Sequence, residues 1–473
     1  MLVKTASQSL NEQLCARFAD RIRNRLLAPG ARLPSVRLCA EQQGVSVSTV
    51  VAAYDQLQAQ GLIIAQKNRG FFVRESTSKM PFAQDEKARA AIKNVANLPV
   101  DAAALIRGMF YPVSNKPQPG MGVFPADWLE TSFLPAAVRK ATSASALRDL
   151  SLHYCEPKGD GGLRRALSQR LGALNIPAES GQIITTVGAT QALDIISRTL
   201  LRAGDCVMVE EPGWAVEFAR LDALGMRILP VPRRADGPDL EVMAQYCALH
   251  APKLFVSVSV FHNPTGYSLA PGSAHRLLQL AGAHHFHIAE DDTSSHLAPD
   301  HATRLCALDG LQQTIYVSGF SKILAPGWRV GFMAAPPDLV EPLLDTKLLA
   351  TLTTPALLEK ALAWCMDQGQ LRRHAERIRS RLDQARARSA QLALAHGCTF
   401  AAEPAGLFGW VETGVDTELL AQRMLDEGYL LAPGALFHAA RAPCSLMRIN
   451  FATTQETAFW VQFARLRDGM RPI

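Results

Sequence analysis

A chain of 473 residues, 48% hydrophobic and 19% charged, is long enough for two to four domains at the usual ~100–200 residues each and too apolar to be largely disordered. No run approaches the ~18 apolar residues of a membrane span, and the opening MLVKTASQSLNEQ lacks the apolar stretch of a secretory signal. Nine widely spaced cysteines with no C-x-x-C pair argue against a disulfide framework or zinc ribbon and for a reducing cytoplasm.

The net charge of +6 is unevenly placed. Residues 1–75 hold ten Lys/Arg and five Asp/Glu, so the remaining 398 carry only +1. A small basic module on a neutral body is the charge signature of a nucleic-acid reader joined to something else, although a solvated basic face has the same count.

The pattern of this module narrows the choice. Leu10, Leu14, Phe18, Ile22 and Leu26 recur at helical spacing up to Pro29-Gly30, predicting a first helix. Ser35 stands at the N-cap of a second, VRLCAEQQ, closed by Gly44, and Ser46 at that of a third, running to Gly61. LIIAQ and GFFVR alternate as two strands around the basic tip KNRG. Three helices and a hairpin carrying Lys67 and Arg69 make a winged helix-turn-helix, whose third helix would enter the major groove of double-stranded DNA.

The string PGARLPSVR, VSVSTV, AYDQLQAQG, GFFV resembles the GntR family over this whole stretch. The resemblance implies DNA contacts from Arg32, Ser35, Arg37, Ser46, Ser48, Thr49, Lys67 and Arg69. Val47 departs from it, since many members carry Arg or Lys there. The expected division is a reader at 1–76, a linker and lead-in helix at 77–110, and a body at 111–473 with a smaller C-terminal α+β subdomain from about 345.

In the body, helical stretches alternate with the apolar runs DCVMVEEPG, KLFVSVSV, HFHIAEDD, TIYVSGFSK and RVGFMAAPP, predicting an α/β fold with a mainly parallel, helix-covered sheet. Chemistry in such sheets gathers where strands end. Neither GMGVFP near 120 nor GDGG at 159–162 has the context of a dinucleotide or P-loop site.

The strand ends instead carry the groups that pyridoxal 5′-phosphate (PLP) requires: an amine, an acid for the ring nitrogen, a partner for the ring oxygen, a stacking surface and a phosphate cup. Lys322 in SGFSK is the candidate amine and Asp291 the candidate acid. Asn263 in NPTG is the candidate donor to the ring oxygen and Trp214 the candidate stacking surface. Gly188, Ala189 and Thr190, opening a helix, form a phosphate seat, joined by Arg329 and Ser321.

In this order the residues resemble the fold type I aminotransferases over roughly 111–473. The resemblance makes Lys322 the Schiff-base lysine, puts Arg448 on an effector or substrate carboxylate, and aligns Tyr154 with a tyrosine that reaches the neighbouring subunit's phosphate, which implies a homodimer. Two positions depart from the pattern. EDDTSSHL supplies Thr293 and Ser294 where a ring-bonding Tyr is usual, and Gly319 stands where Ser or Thr is usual, with Ser318 displaced by one. The cluster His284, His285 and His287, read as strand residues with His285 and His287 on one face, has no acidic or thiolate partner, so no metal is expected.

A GntR-like reader fused to an aminotransferase-like body resembles the MocR group of bacterial regulators. That resemblance implies a cytoplasmic, nucleoid-associated, PLP-dependent transcription factor that senses PLP or a PLP–amino acid adduct and binds an operator as a dimer. The alternative is a working aminotransferase carrying a DNA-binding domain.

Overall fold

The computed structural model describes residues 9–23, 27, 30–66, 69–74, 114–143, 147–148 and 152–470. Lys67 and the expected linker and lead-in helix at 77–110 lie outside them. The chain divides into two compact units, residues 1–121 with 416–433, and residues 122–415 with 434–473.

The first unit opens with three helices, α1 (Leu10–Arg23), α2 (Val36–Gln43) and α3 (Val47–Ala59). Strands β1 (Ile63–Gln66) and β2 (Gly70–Val73) form an antiparallel hairpin with Ile63 opposite Val73. The caps are the expected ones. Ser35 Oγ accepts from Leu38 N at 3.3 Å and Ser46 Oγ from Thr49 N at 3.1 Å, satisfying amides that the helices leave unpaired. Gly44 closes α2 in the left-handed region at φ 65°.

Leu14, Phe18 and Ile22 of α1 pack on Val50, Tyr54 and Leu57 of α3. Tyr54 donates to Pro34 O at 3.0 Å, which fixes the turn before α2. In the same unit α1 meets the helix Thr417–Asp426. Arg21 reaches Asp426 Oδ1 at 2.9 Å and Leu425 O at 2.7 Å, and Arg17 reaches Asp426 O at 2.5 Å. Two guanidiniums thus sit on the carbonyl end of a helix, where the macrodipole favours positive charge.

The second unit is built on an eight-stranded sheet. In chain order its strands are β3 (Ile183–Thr186), β4 (Cys206–Glu211), β5 (Arg227–Arg234), β6 (Gly237–Pro238), β7 (Leu254–Ser257), β8 (His287–Asp291), β9 (Thr314–Gly319) and β10 (Gly331–Ala334). Their spatial order is β3-β10-β9-β8-β7-β4-β5-β6. The central strands are parallel, whereas β10 runs antiparallel to both neighbours.

The body helices used below are α4 (Leu134–Ala141), α5 (Gly161–Ala173), α6 (Ala189–Leu200), α7 (Ala215–Ala223), α8 (Leu240–His250), α9 (Pro271–His284), α10 (Pro337–Thr351), α11 (Ala356–Asp367) and α12 (Gln370–Ala395). Alternate side chains bury both faces of the sheet. Val207, Val209, Val256 and Ala289 pack with α6 and α10, while Met208, Phe255 and Ile288 pack with α8 and α9. The strands β11 (Thr399–Phe400), β12 (Phe408–Glu412) and β13 (Leu446–Asn450) form a separate antiparallel set.

The histidine cluster is not the strand face expected from its alternation. His284 ends α9, and His285 is its C-cap at φ 55°. Only His287 enters a strand. The chain turns through His285 before extending, so the period of two begins after it.

Candidate functional site

Helix α6 starts at Gly188, whose φ of 81° suits glycine. A Cβ there would fall on the Arg329 guanidinium, which donates to Val187 O at 3.3 Å. The absent side chain therefore lets an arginine lie across the amide end of a helix, an arrangement suited to an anion. Thr190 and Ser321 are half-buried, and neither hydroxyl has a hydrogen-bond partner among the described residues. Gly319 lies close to this end, 3.6 Å from Ala189 N by its would-be Cβ. Ser318 is turned away, donating to Asp292 O at 2.8 Å and contacting Ser295 Oγ at 3.1 Å, so it does not replace the usual hydroxyl.

Lys322 follows β9 through Phe320 and Ser321, and its Nζ donates to Gly122 O at 2.7 Å. Burial, aided by the positive charges of Arg448 and Arg329, lowers its pKa to about 8, against the opposing pull of Asp291. Asp291 ends β8. Burial raises its pKa to about 6, and Glu217 and Asp292 push the same way. Its Oδ1 accepts from Thr293 N at 3.1 Å, so Thr293 caps the aspartate. Trp214 precedes α7 and lines one cavity with Asp291, Val258 and His262.

Arg448 on β13 donates to Asn263 Oδ1 at 2.9 Å. Its guanidinium stacks 4.3 Å from the Phe408 ring centroid and 5.0 Å from that of Phe437. Burial pushes its pKa down to about 9, so it stays charged at neutral pH. With its oxygen engaged by Arg448, Asn263 has its amide N–H groups left to donate. Lys322, Arg329, Arg448, Asp291 and Asn263 are thus joined by contacts or by their fields. Tyr154 stands apart at 86% exposed.

Several residues of this region carry no sequence motif. Gly122 receives the Lys322 amine, and a Cβ on it would lie 3.2 Å from Nζ. Glu217, beside Asp291, is buried and ion-paired to Arg220 at 2.5 Å. His262 contacts Thr265 Oγ1 at 2.9 Å and Glu210 at 3.3 Å. Burial holds it neutral, its pKa well below the ordinary value. The segment after Tyr154 is pinned from below: the fully buried Lys347 donates to Pro157 O at 2.6 Å, and Glu359 accepts from Asp160 N at 2.7 Å. Only the position of His262 directly before NPTG was a usable signal.

In the first unit the residues expected at DNA lie mostly at the surface. Arg32, Ser35, Arg37, Ser46 and Ser48 are exposed, and Thr49 is half-buried. Ser46 Oγ contacts the hydroxyls of Ser48 and Thr49, each at 2.8 Å. Val47 is 50% exposed at the start of α3, and Arg69 lies 5.7 Å from the Phe72 ring centroid.

Comparison with known proteins accords with both units. Residues 10–73 match the bacterial regulatory proteins of the gntR family. The uncharacterized HTH-type transcriptional regulator YdcR of Escherichia coli (strain K12) is 27% identical, over 93% of this chain and 94% of its own. The probable rhizopine catabolism regulatory protein MocR of Rhizobium meliloti is 28% identical, over 80% and 77%. The solved kynurenine aminotransferase of Pyrococcus horikoshii superposes with a TM-score of 0.68 at 26% identity, covering 75% of this chain and 90% of that one. Residues 121–458 match aminotransferase class I and II, and by that match the chain belongs to the aminotransferase class I and II family, with a gntR-type helix-turn-helix ahead of it.

Proposed function

We propose that the chain is a DNA-binding transcriptional regulator whose body holds PLP and responds to an amino acid or related amine. The observation that carries this reading is the fusion itself, a gntR-type helix-turn-helix joined to an aminotransferase class I and II body. The fit to PLP rests on charge and shape. Lys322 feels two positive neighbours and one negative, an imbalance that a phosphate and a carboxylate would correct, and Gly188 lets the Arg329 guanidinium lie across the amide end of α6.

When bound, PLP supplies an electrophilic carbon for amines and an electron-withdrawing ring. Lys322, partly neutral near pH 8, provides the nucleophilic amine. Asp291 would meet the ring nitrogen, and a positive partner there would bring its pKa back down. Asn263 would donate to the ring oxygen, Trp214 would flank the ring, and Gly188, Ala189, Thr190, Ser321 and Arg329 would hold the phosphate. Arg448, stacked between two phenyl rings, offers its fork to an effector carboxylate. Tyr154, exposed on a pinned segment, fits a role across a homodimer interface.

Arg32, Ser35, Arg37, Ser46, Ser48, Thr49, Lys67 and Arg69 would contact an operator. An effector shifts DNA affinity only if it binds two arrangements unequally. Transamination is the second reading, favoured by the depressed pKa of Lys322, which suits a general base.

The deciding experiment measures binding of the full-length protein to DNA from upstream of its own gene. Fluorescence anisotropy is recorded with and without PLP and each common amino acid, with keto-acid release followed in parallel. An amino-acid-selective change in affinity without product supports the regulator. Multiple turnovers without any effect on DNA binding would replace it with the enzyme.

A further inference from the structure

Away from the residues assigned to PLP, the second unit holds a cavity of about 370 Å³. One wall is Thr131, Ser132 and Phe133, leading into α4. The other is Gln370, Arg373, His374 and Arg377, which the spacing of α12 places on one face. Among the described residues no carboxylate lines it. Arg373 donates to Gln368 O at 3.1 Å, and Arg377 Nη2 to Glu130 O at 2.8 Å and His374 Nδ1 at 2.9 Å. Neither arginine has an ion-pair partner among the described residues. Thr131 Oγ1 and Gln370 Oε1 are buried without hydrogen-bond partners.

We propose that this cavity is a second ligand site, for a phosphate dianion, free or as a phosphomonoester. Two guanidiniums match a doubly charged group better than a single carboxylate, and the fork geometry suits phosphoryl oxygens. The Thr131 hydroxyl and, after rotation of its side-chain amide, Gln370 supply neutral donors. Phe133 meets the His374 ring edge-on at 5.9 Å, an apolar wall for an organic remainder. The volume lies at the small end of ligand pockets, ~300–1,000 Å³.

The site is wired to the body's centre. His374 is only 4% exposed, and its Nε2 lies 2.6 Å from Ile323 O. A carbonyl accepts, so Nε2 carries the proton and Nδ1 accepts from Arg377. Ile323 directly follows Lys322. A dianion that draws Arg377 toward itself therefore acts one residue from that lysine. This relay rests on the proposed role of Lys322, whereas the binding itself does not.

The test is calorimetric titration of the full-length, PLP-loaded protein, freed of excess cofactor, with inorganic phosphate and separately with phenyl phosphate. The comparison is the double variant Arg373→Gln/Arg377→Gln, with folding checked by circular dichroism. The expected result is one saturable site per chain, weakened at least tenfold in the variant. Tighter binding of phenyl phosphate assigns the site to phosphomonoesters, and equal affinity to phosphate itself. Equal binding by wild type and variant, or no saturation, overturns the proposal.

The relay is read from the cofactor absorption, which phosphate should shift in wild type and not in His374→Gln. If PLP proves not to bind at Lys322, the reading of the body fails. The variant-sensitive phosphate heat of the cofactor-free protein then still decides the second site.

Discussion

The amine of Lys322 and the carbonyl oxygen of Gly122 lie 2.7 Å apart, joined by a hydrogen bond across 200 residues of sequence. The bond holds the lysine beside Arg448 and Arg329, whose charges disfavour its own. A buried lysine so placed is aimed and partly deprotonated before any ligand arrives.

Lys322→Ala should abolish covalent retention of PLP. Mass spectrometry after borohydride reduction should show the cofactor fixed to wild type at the peptide containing residue 322 and none fixed to the variant. Retention at another lysine would reassign the role.

The rate of covalent PLP uptake should rise with pH and level off above a midpoint near 8, the value for Lys322. The neutral amine is the nucleophile, so lowering the pH through the midpoint removes reactive lysine. An ordinary lysine would give a rate still climbing toward pH ~10. Stopped-flow absorbance at a series of pH values distinguishes the two.

Lys347→Met should loosen the segment after Tyr154. The change leaves Pro157 O without its donor, a cost of ~1–3 kcal/mol for a buried polar group. Hydrogen exchange should speed up at residues 155–160 and at Thr185, whose amide donates to Lys158 O at 3.0 Å. Strands β7 and β8 should keep their protection. Unchanged exchange at 155–160 would show that Lys347 does not hold the segment.

Arg37→Ala should weaken operator binding. If the guanidinium reads a base edge, the loss is ~1–3 kcal/mol and depends on sequence; if it meets a phosphate, the loss is uniform and the salt dependence falls. Val47→Arg, at an exposed position at the start of α3, should strengthen binding and steepen that dependence. Anisotropy at several salt concentrations measures both.

Turnover on common amino acids should be slow or negligible. Thr293 bonds Asp291 through its amide and its side chain, and Ser294 has a shorter side chain than the tyrosine usual in this segment. Each ~1.4 kcal/mol of lost transition-state stabilisation is about tenfold in rate. Ordinary enzyme rates in a coupled keto-acid assay would contradict this.

What could be read in the sequence was local. Ser35, Gly44 and Ser46 mark helix ends because capping is decided within three or four residues, and NPTG and SGFSK stand out because their strands precede them. His285 misled because a left-handed helix end was read as the start of alternation. The antiparallel insertion of β10 between β3 and β9 has no signature in hydropathy. Lys347 and His374 were silent because each bonds a backbone carbonyl far away in the chain, and Gly122 because what it offers Lys322 is its own carbonyl, which leaves no trace in side-chain pattern.

The grip of Arg17 and Arg21 on the end of the helix Thr417–Asp426 leaves Arg32, Arg37, Ser46 and Ser48 exposed while it is made. It is a bracket and not a shutter. The ion pair can be lost without uncovering any of these four side chains, so it bears on how firmly α1 is held and not on what α3 exposes.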